Sequence, residues 1–458
     1  MGYDRGMIFG RYGTFTGGID LPDEKHATLG RRIGTCDRLE RLRVPLAPCG
    51  GVAAEPVVRI GQRVQAGQCL ADPPAPGGMG VYAPLAGRVL GFGKAPVAGW
   101  AGFAESPTVE LSDLSDPADV VPADASSAEA DQADGFDWSA AGADELLGRI
   151  AEGSLTTFRR VPAPLARWCA QARRSGCRKL VANAMEQEPY VTADHRLLVE
   201  RGPEVIEGLA ILARAIGAAE AVLAADRRRT SYYEELSAAA GRRGVWQVAL
   251  PHKYPISADT ILTKVLARRE TPPGRSTMSV GVAVIDPATC LAVSRWVVLG
   301  DRPRGRVVTL AGPAQGRPRN VWAPFGAVCG DLVDRCDGPL VHGGPMAGLP
   351  CGPEAVVTPA TNAVLALEAA APPPPGPCIR CGWCTDHCPA RLNVAAMNDA
   401  FELSLVSAAR RAGVMACVEC GVCSYVCPAR LPLTQRVKQL KRRIVPARAG
   451  QAAGGAGT

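Results

Sequence analysis

Residues 378–389 read Cys-Ile-Arg-Cys-Gly-Trp-Cys-Thr-Asp-His-Cys-Pro, and residues 417–428 read Cys-Val-Glu-Cys-Gly-Val-Cys-Ser-Tyr-Val-Cys-Pro. Both follow Cys-x2-Cys-x2-Cys-x3-Cys-Pro, the spacing that holds [4Fe–4S] centres in pairs. No other feature restricts the fold as tightly, because eight cysteines must gather around two compact inorganic cores. Two-residue gaps let three thiolates of one loop reach three corners of a cube, with Gly382 and Gly421 easing the backbone around it. The fourth ligand comes from the opposite run. The spacing therefore sets Cys378, Cys381, Cys384 and Cys427 on one centre and Cys417, Cys420, Cys423 and Cys388 on the other. Pro389 and Pro428 force the chain out of each loop after its last ligand. A structural zinc site needs four ligands and no third evenly spaced cysteine, so two complete copies favour iron and sulfur. Trp383 and His387 fall among the ligands and read as packing residues, since four thiolates already complete each centre.

Of the 17 cysteines, these runs hold eight and the other nine stand singly. An odd total without a paired framework points to a reducing compartment and metal ligation rather than disulfides. The opening Met-Gly-Tyr-Asp-Arg-Gly lacks a basic region followed by an apolar one, and Gly6 stands where myristoylation wants Ser or Thr. No apolar run approaches the ~18 residues of a membrane span. The expectation is a cytoplasmic protein.

Between the runs, Asn393 to Arg411 lacks Gly and Pro, and Val394, Met397, Phe401, Leu405 and Ala408 recur at spacings of three and four. That predicts one amphipathic helix, hence an α-helical two-cluster ferredoxin module. A second helix is expected from about Thr434 to Ile444. The net charge of +7 is local: no acidic residue follows Glu419, whereas Arg430, Arg436, Lys438, Lys441, Arg442, Arg443 and Arg448 supply seven positive charges. This argues against a nucleic-acid surface over the whole protein. The basic end reads either as a solvated helix end suited to the helix dipole or as a dock for an acidic partner or an anionic membrane surface.

Composition divides the rest. Residues 105–150 are expected to form an acidic linker, with twelve acidic residues and no Lys or Arg from Glu105 to Glu145. Residues 371–377, Ala-Pro-Pro-Pro-Pro-Gly-Pro, read as an extended spacer. In residues 1–104, Pro56 to Leu70 and Tyr82 to Leu90 alternate apolar and polar residues around Gly61 and Gly67, which predicts short strands joined by glycine turns. The pattern resembles the barrel-sandwich hybrid of lipoyl and biotinyl carriers. The tip between its halves, Pro76-Gly-Gly-Met-Gly80, holds no lysine, so a packing domain is favoured over a swinging-arm carrier. Residues 151–300 alternate strands (Cys177 to Asn183, Ala221 to Ala225, Val245 to Leu250, Gly281 to Ile285) with helices (Val205 to Ile216, Tyr232 to Ala240). That is the habit of a parallel, three-layer α/β sheet. Residues 301–370 return to short strands and read as a small α+β unit, residues 378–445 as the cluster module, and residues 446–458 as a flexible tail.

With these motifs in hand, the chain resembles the RnfC family, a component of the Rnf complex, which is a membrane-associated ferredoxin:NAD oxidoreductase. The resemblance rests on Gly17-Gly-Ile-Asp-Leu-Pro22, Val81-Tyr-Ala-Pro-Leu-Ala-Gly87, Asn183-Ala-Met-Glu-Gln-Glu-Pro-Tyr190, His252-Lys-Tyr-Pro255, Gly343-Gly-Pro-Met-Ala-Gly348, Thr361-Asn-Ala-Val-Leu365 and the cluster module through Pro432-Leu-Thr-Gln435. It implies a Rossmann-like flavin and NADH domain, an SLBB-like small domain, and electron transfer to protein partners among membrane subunits at the cytoplasmic face of the inner membrane. Cobalamin reductases of microcompartments share these parts in a permuted order, which leaves a soluble reductase as the alternative.

One departure bears on the flavin. The family carries a glycine-rich loop before the first α/β strand, whose N–H groups can cradle FMN phosphate. Here the stretch reads Gly153-Ser-Leu-Thr-Thr-Phe-Arg-Arg-Val-Pro-Ala-Pro164, with one glycine and a bulky Phe158. Asn183, Glu186 and Glu188 map near the family's flavin. Two readings stay open: FMN held by the charges of Arg159 and Arg160, or an iron–sulfur adaptor whose α/β domain is scaffold and which is not an NADH dehydrogenase by itself.

Overall fold

The computed structural model describes residues 14–37, 39–75, 78–100, 102–123, 136–334, 337–369 and 373–445. The opening hexapeptide, residues 76–77 of the hairpin tip, residues 371–372 of the proline stretch, and the tail with Arg448 lie outside the described residues.

A short strand β1 (Gly34–Thr35) precedes β2 (Leu42–Pro45), β3 (Glu55–Pro56), β4 (Arg63–Val64), β5 (Cys69–Asp72), β6 (Val81–Tyr82), β7 (Gly87–Gly99) and β8 (Gly102–Ser112). These pair as β2-β8-β7-β4 and β3-β5-β6. Leu42, Val44, Leu70, Leu85, Val89, Val109 and Leu111 fill the space between them. Gly61 and Gly67 turn the chain at φ of 82° and 79°, values an L side chain resists.

The acidic stretch is not a linker over its full length. Residues 105–112 are the second half of β8, where Val109 and Leu111 are buried. Residues 143–150 lie in helix α1 (Ala143–Glu152), which buries Leu146 and Ile150. Apolar residues two apart on a strand and four apart on a helix share a face, so an acidic composition coexists with one core-facing side.

The α/β domain continues with α2 (Leu165–Arg174), β9 (Lys179–Ala184), α3 (Ala193–Ile216), β10 (Glu220–Asp226), α4 (Leu236–Arg243), β11 (Val245–Leu250), α5 (Asp259–Ala267), β12 (Val282–Ile285) and α6 (Pro287–Leu299). Its sheet is parallel throughout, in the order β11-β10-β9-β12. Alternate strand residues face opposite layers: Leu180, Ala182 and Leu223 join the core that contains α3 and α6, whereas Val181, Val222 and Val248 meet α5 through Ile261 and Leu262. Helix α3 starts well before Val205, because it runs across a kink at Arg201 next to Pro203.

The small sheet is built from β13 (Gly305–Ala311), β14 (Arg319–Pro324), β15 (Leu340–His342), β16 (Leu349–Cys351) and β17 (Ala363–Ala366), with helix α7 (Cys329–Leu332) between β14 and β15. Its order is β1-β14-β13-β17-β15-β16, so the amino-terminal piece lends it a strand.

The cysteine module holds α8 (Trp383–Asp386), α9 (Val394–Glu402), α10 (Val406–Arg411), α11 (Val422–Tyr425) and α12 (Leu433–Ile444). The single helix expected over 393–411 is two, because Ser404 takes a φ of 55° between them. The break lets Met397 and Ala400 of α9 and Ala409 of α10 reach Val437, Leu440 and Ile444 of α12 together. Nor is α12 merely a solvated end: Arg436 bonds Glu402 at 2.6 Å and Lys441 bonds Glu419 at 2.8 Å. No helix among the described residues is long and apolar enough to cross a membrane.

Candidate functional site

The two cysteine loops repeat each other's backbone. Arg380 and Glu419, each two residues after the first cysteine, have φ of 58° and 57°. Gly382 and Gly421 follow at 83° and 84°, and Arg391 and Arg430 at 56° and 55°. Such positive angles force each loop to curl inward, turning its thiols to one side. The thiols gather crosswise: Cys384 lies within electrostatic reach of Cys381, Cys378 and Cys427, and Cys420 within reach of Cys417, Cys423 and Cys388. Among the described residues no three His, Cys, Asp or Glu converge on a single-ion site. A cubane instead takes its thiolates at separate corners, so this donor set suits [4Fe–4S] centres. Burial pushes the Cys417 thiol up to about 12, so loading iron there must release protons.

The two sets differ in surroundings. Cys381 is exposed, beside Ile379 and Trp383 at 63% and 52% exposure. Trp383 is therefore not the packing residue its position suggests, while His387 hydrogen-bonds through Nδ1 to the Trp383 carbonyl at 2.9 Å. The other loop is packed inward. Val422 contacts Leu21 and Tyr254, the Tyr254 hydroxyl donates to the Cys420 carbonyl at 2.6 Å, and a Cβ on Gly421 would overlap the Met346 carbonyl. The amino-terminal motif reaches this module as well, with the Gly18 N–H donating to the His387 carbonyl at 2.8 Å.

Beside the packed loop lies a cleft of about 290 Å³ at the carboxyl ends of β9 and β12. Since β10 and β12 leave β9 on opposite sides, this is where an α/β sheet places its ligands. Asn183, Glu186 and Glu188 line it as expected, yet all three are already engaged. Asn183 donates to the Ser257 carbonyl at 2.8 Å. Glu186 accepts from the Asp194 and His195 N–H groups at 2.9 and 3.1 Å, capping α3. Glu188 accepts from the Met346 and Ala347 N–H groups at 2.8 and 3.0 Å and holds the glycine loop 343–348. At α6, Asp286 takes the Thr289 N–H at 2.7 Å. The N-termini of α3 and α6, where a phosphate could sit, are thus closed by the chain's own carboxylates, while α5 opens on the cleft without a side-chain cap and with Asp259 in its first turn.

The departed loop completes the closure. The Phe158 N–H donates to Thr289 Oγ1 at 2.7 Å. Arg159 enters the cleft and bonds Asp259 and the Val284 carbonyl. Arg160, at the edge of the cleft, pairs with Glu419 at 2.9 Å. Both guanidiniums are thus already paired with carboxylates of the chain. The residues present do not fit FMN phosphate, because it would face a carboxylate at each helix start on the cleft: Glu186 at α3, Asp286 at α6 and Asp259, already paired with Arg159, at α5.

The closed cleft also sets a pH dependence. Burial, reinforced by Glu186, raises the Asp194 carboxyl up to about 8, against a smaller opposing pull from Arg306. A raised acid binds its proton more tightly folded than unfolded, so stability declines as pH climbs from about 4 towards 8. The melting temperature of Asp194→Asn, measured against the parent, should gain increasingly over that interval and level off above it. A constant difference at every pH would contradict the assignment.

Residues 13–111 match the RnfC Barrel sandwich hybrid domain, residues 164–295 the Nuo51 FMN-binding domain, and residues 374–428 a 4Fe-4S dicluster domain. The FMN-domain match begins at the last residue of the departed loop. The C subunit of the ion-translocating oxidoreductase complex of Rhodobacter capsulatus is 31% identical over 93% of this chain and 82% of its own length. The chain belongs to the RnfC family. Its counterpart in the proton-translocating ferredoxin:NAD(+) oxidoreductase complex of Clostridium ljungdahlii is 27% identical over 83% of this chain and 82% of its own. The counterpart in the ion-translocating oxidoreductase complex of Pseudomonas aeruginosa, 32% identical, is longer: the chain covers 49% of it. As an RnfC family member with a dicluster domain, the chain is an iron–sulfur electron-transfer subunit.

Proposed function

We propose that the chain relays single electrons through two [4Fe–4S] centres, one on Cys378, Cys381, Cys384 and Cys427 and the other on Cys417, Cys420, Cys423 and Cys388, without a flavin of its own. Each centre supplies one-electron chemistry when bound. The observation that carries the reading is the loop repeat 39 residues apart, from Cys378 to Cys417, with each fourth thiol lying across among the other loop's three. The polypeptide presents four thiolates per centre, keeps one set at the surface for exchange with a protein partner, and buries the other against the α/β domain. The cleft, closed by Glu186, Asp286 and Arg159, acts as scaffold for that second set. The assembly is an ion-translocating complex like those of its relatives, with this chain peripheral on membrane subunits and the small sheet serving as an SLBB-like spacer. The exposed Arg442 and Arg443 of α12 suit an acidic or anionic docking surface.

Anaerobic purification with iron, sulfide and flavin quantified together tests this. About eight irons per chain, four per centre, and no flavin are expected. Fewer irons would sink the ligation, and stoichiometric FMN would overturn the closed cleft.

A further inference from the structure

The two thiol sets differ in what surrounds their sulfurs. In the inner set, the Glu419 N–H donates to Cys417 Sγ at 3.4 Å and the Leu392 N–H to Cys388 Sγ at 3.4 Å. Thr434 Oγ1 lies 3.4 Å from Cys423 Sγ. In the outer set the corresponding contact is Thr385 Oγ1, at 4.0 Å from Cys384 Sγ.

Charge is distributed just as unevenly. Lys441, whose side chain is only 10% exposed, places its ammonium 2.8 Å from Glu419 Oε1 and 2.6 Å from the carbonyl of the ligand Cys417. The Glu419 side chain is itself 8% exposed and sits between the ligands Cys417 and Cys420. Its other oxygen takes the Arg160 guanidinium at 2.9 Å. Within this group two cations face one anion; Lys438 adds a further cation in reach of Cys417 and Glu419, and Glu188 approaches the Cys420 carbonyl only through the Tyr254 hydroxyl. Arg160 comes from the stretch that replaces the family's glycine-rich loop, so that stretch contributes an electrostatic contact to the cluster loop. Beside the outer loop, Arg380 pairs with Asp399 at 2.8 Å, its side chain 66% exposed, where water screens the charge.

Reduction adds one electron and one unit of negative charge to a centre, with no proton required. Fixed positive charge and hydrogen bonds to sulfur favour that more negative state and raise the potential, most strongly where water is excluded. We propose that Lys441 and Arg160, acting across Glu419, set the reduction potential of the inner centre independently of the outer one. This rests on the two-centre reading above. The three side chains are positioning and tuning groups rather than ligands, and the effect of each has a fixed sign. Removing either cation lowers the inner potential, and neutralising Glu419 raises it.

The test is a dithionite redox titration of anaerobically purified full-length protein, followed by electron paramagnetic resonance so that each centre is read separately. At the parent's inner midpoint, Lys441→Met should lower the reduced-to-oxidised ratio of the inner centre by about tenfold, equivalent to about 59 mV for one electron. Arg160→Gln should lower it in the same direction, Glu419→Gln should raise it, and Lys441→Arg should restore it. The outer centre should hold its midpoint in all four variants. Equal shifts in both centres, no shift with all irons present, or Glu419→Gln moving the same way as Lys441→Met would each overturn the proposal. If Lys441→Met loses iron, Arg160→Gln and Glu419→Gln, whose side chains contact no thiol, still decide the sign. Fewer than about eight irons in the parent would instead count against the two-centre ligation itself.

Discussion

Replacing Cys388 by alanine is expected to strip the centre held by Cys417, Cys420 and Cys423 and to spare the one whose loop contains Cys388. Iron should fall from about eight to about four per chain, with the surviving resonance that of the outer centre. The reasoning is geometric. Cys388 is 8% exposed and packs with Val394, Leu431 and Leu433, so a small apolar residue fills its place at little cost in packing. Its sulfur lies among the thiols of the inner set, whereas its own loop is completed by Cys427. Cys427→Ala should do the reverse, losing the outer centre and keeping the inner. Each variant would report on the loop in which the mutation does not lie. Loss of the outer resonance in Cys388→Ala, with the inner one kept, would overturn the crosswise assignment in favour of one centre per run.

Much of this was legible because cluster ligation is written locally. Spacing alone names the eight cysteines proposed as ligands, and glycine at Gly382 and Gly421 marks where the loops take positive φ. The parallel sheet was equally readable, since β11 spans Val245–Leu250 and β10 spans Glu220–Asp226, as the alternation of apolar runs and helical periods requires. The failures share a cause. Ser404 breaks the helix over 393–411, although its sequence carries no Gly or Pro, and both resulting helices pack on α12. Residues 105–112 and 143–150 look like solvated linker by charge, yet single apolar stripes dock them. The closure of the cleft depends on pairings such as Arg159 with Asp259 and Arg160 with Glu419, across 100 and 259 positions. No local pattern encodes those. What the sequence signals is that Gly153 to Pro164 holds a single glycine, and the structure shows Phe158 and Arg159 of that stretch engaged with Thr289 and Asp259.

Gly208→Ala is expected to be among the most damaging single substitutions in the α/β domain, although it adds one methyl group. Gly208 lies in the buried face of α3, and a Cβ there would overlap the carbonyl oxygen and carbon of Cys290 on α6. The obstacle is helix backbone, which no rotamer change relieves. Overpacking ordinarily costs about 1–3 kcal/mol, and a backbone-to-backbone clash belongs at or above the top of that range, about 3 kcal/mol or more. The better helix propensity of alanine returns only about 1 kcal/mol. Gly241→Ala supplies the contrast: Gly241 also sits in a helix, α4, but a Cβ there meets nothing within 4 Å, so it should be neutral or stabilising by up to about 1 kcal/mol. Thermal melts and limited proteolysis of the two variants would separate crowding from propensity, and similar behaviour would refute the close-approach argument. The damage should also reach the functional end of the domain. The amino-terminal turns of α3 and α6 carry the N–H groups taken by Glu186 and Asp286, so prying the helices apart opens the cleft those carboxylates close. Glu188 and Tyr254 connect that cleft to the Cys420 carbonyl, and the inner centre's resonance should broaden in any Gly208→Ala protein that still folds.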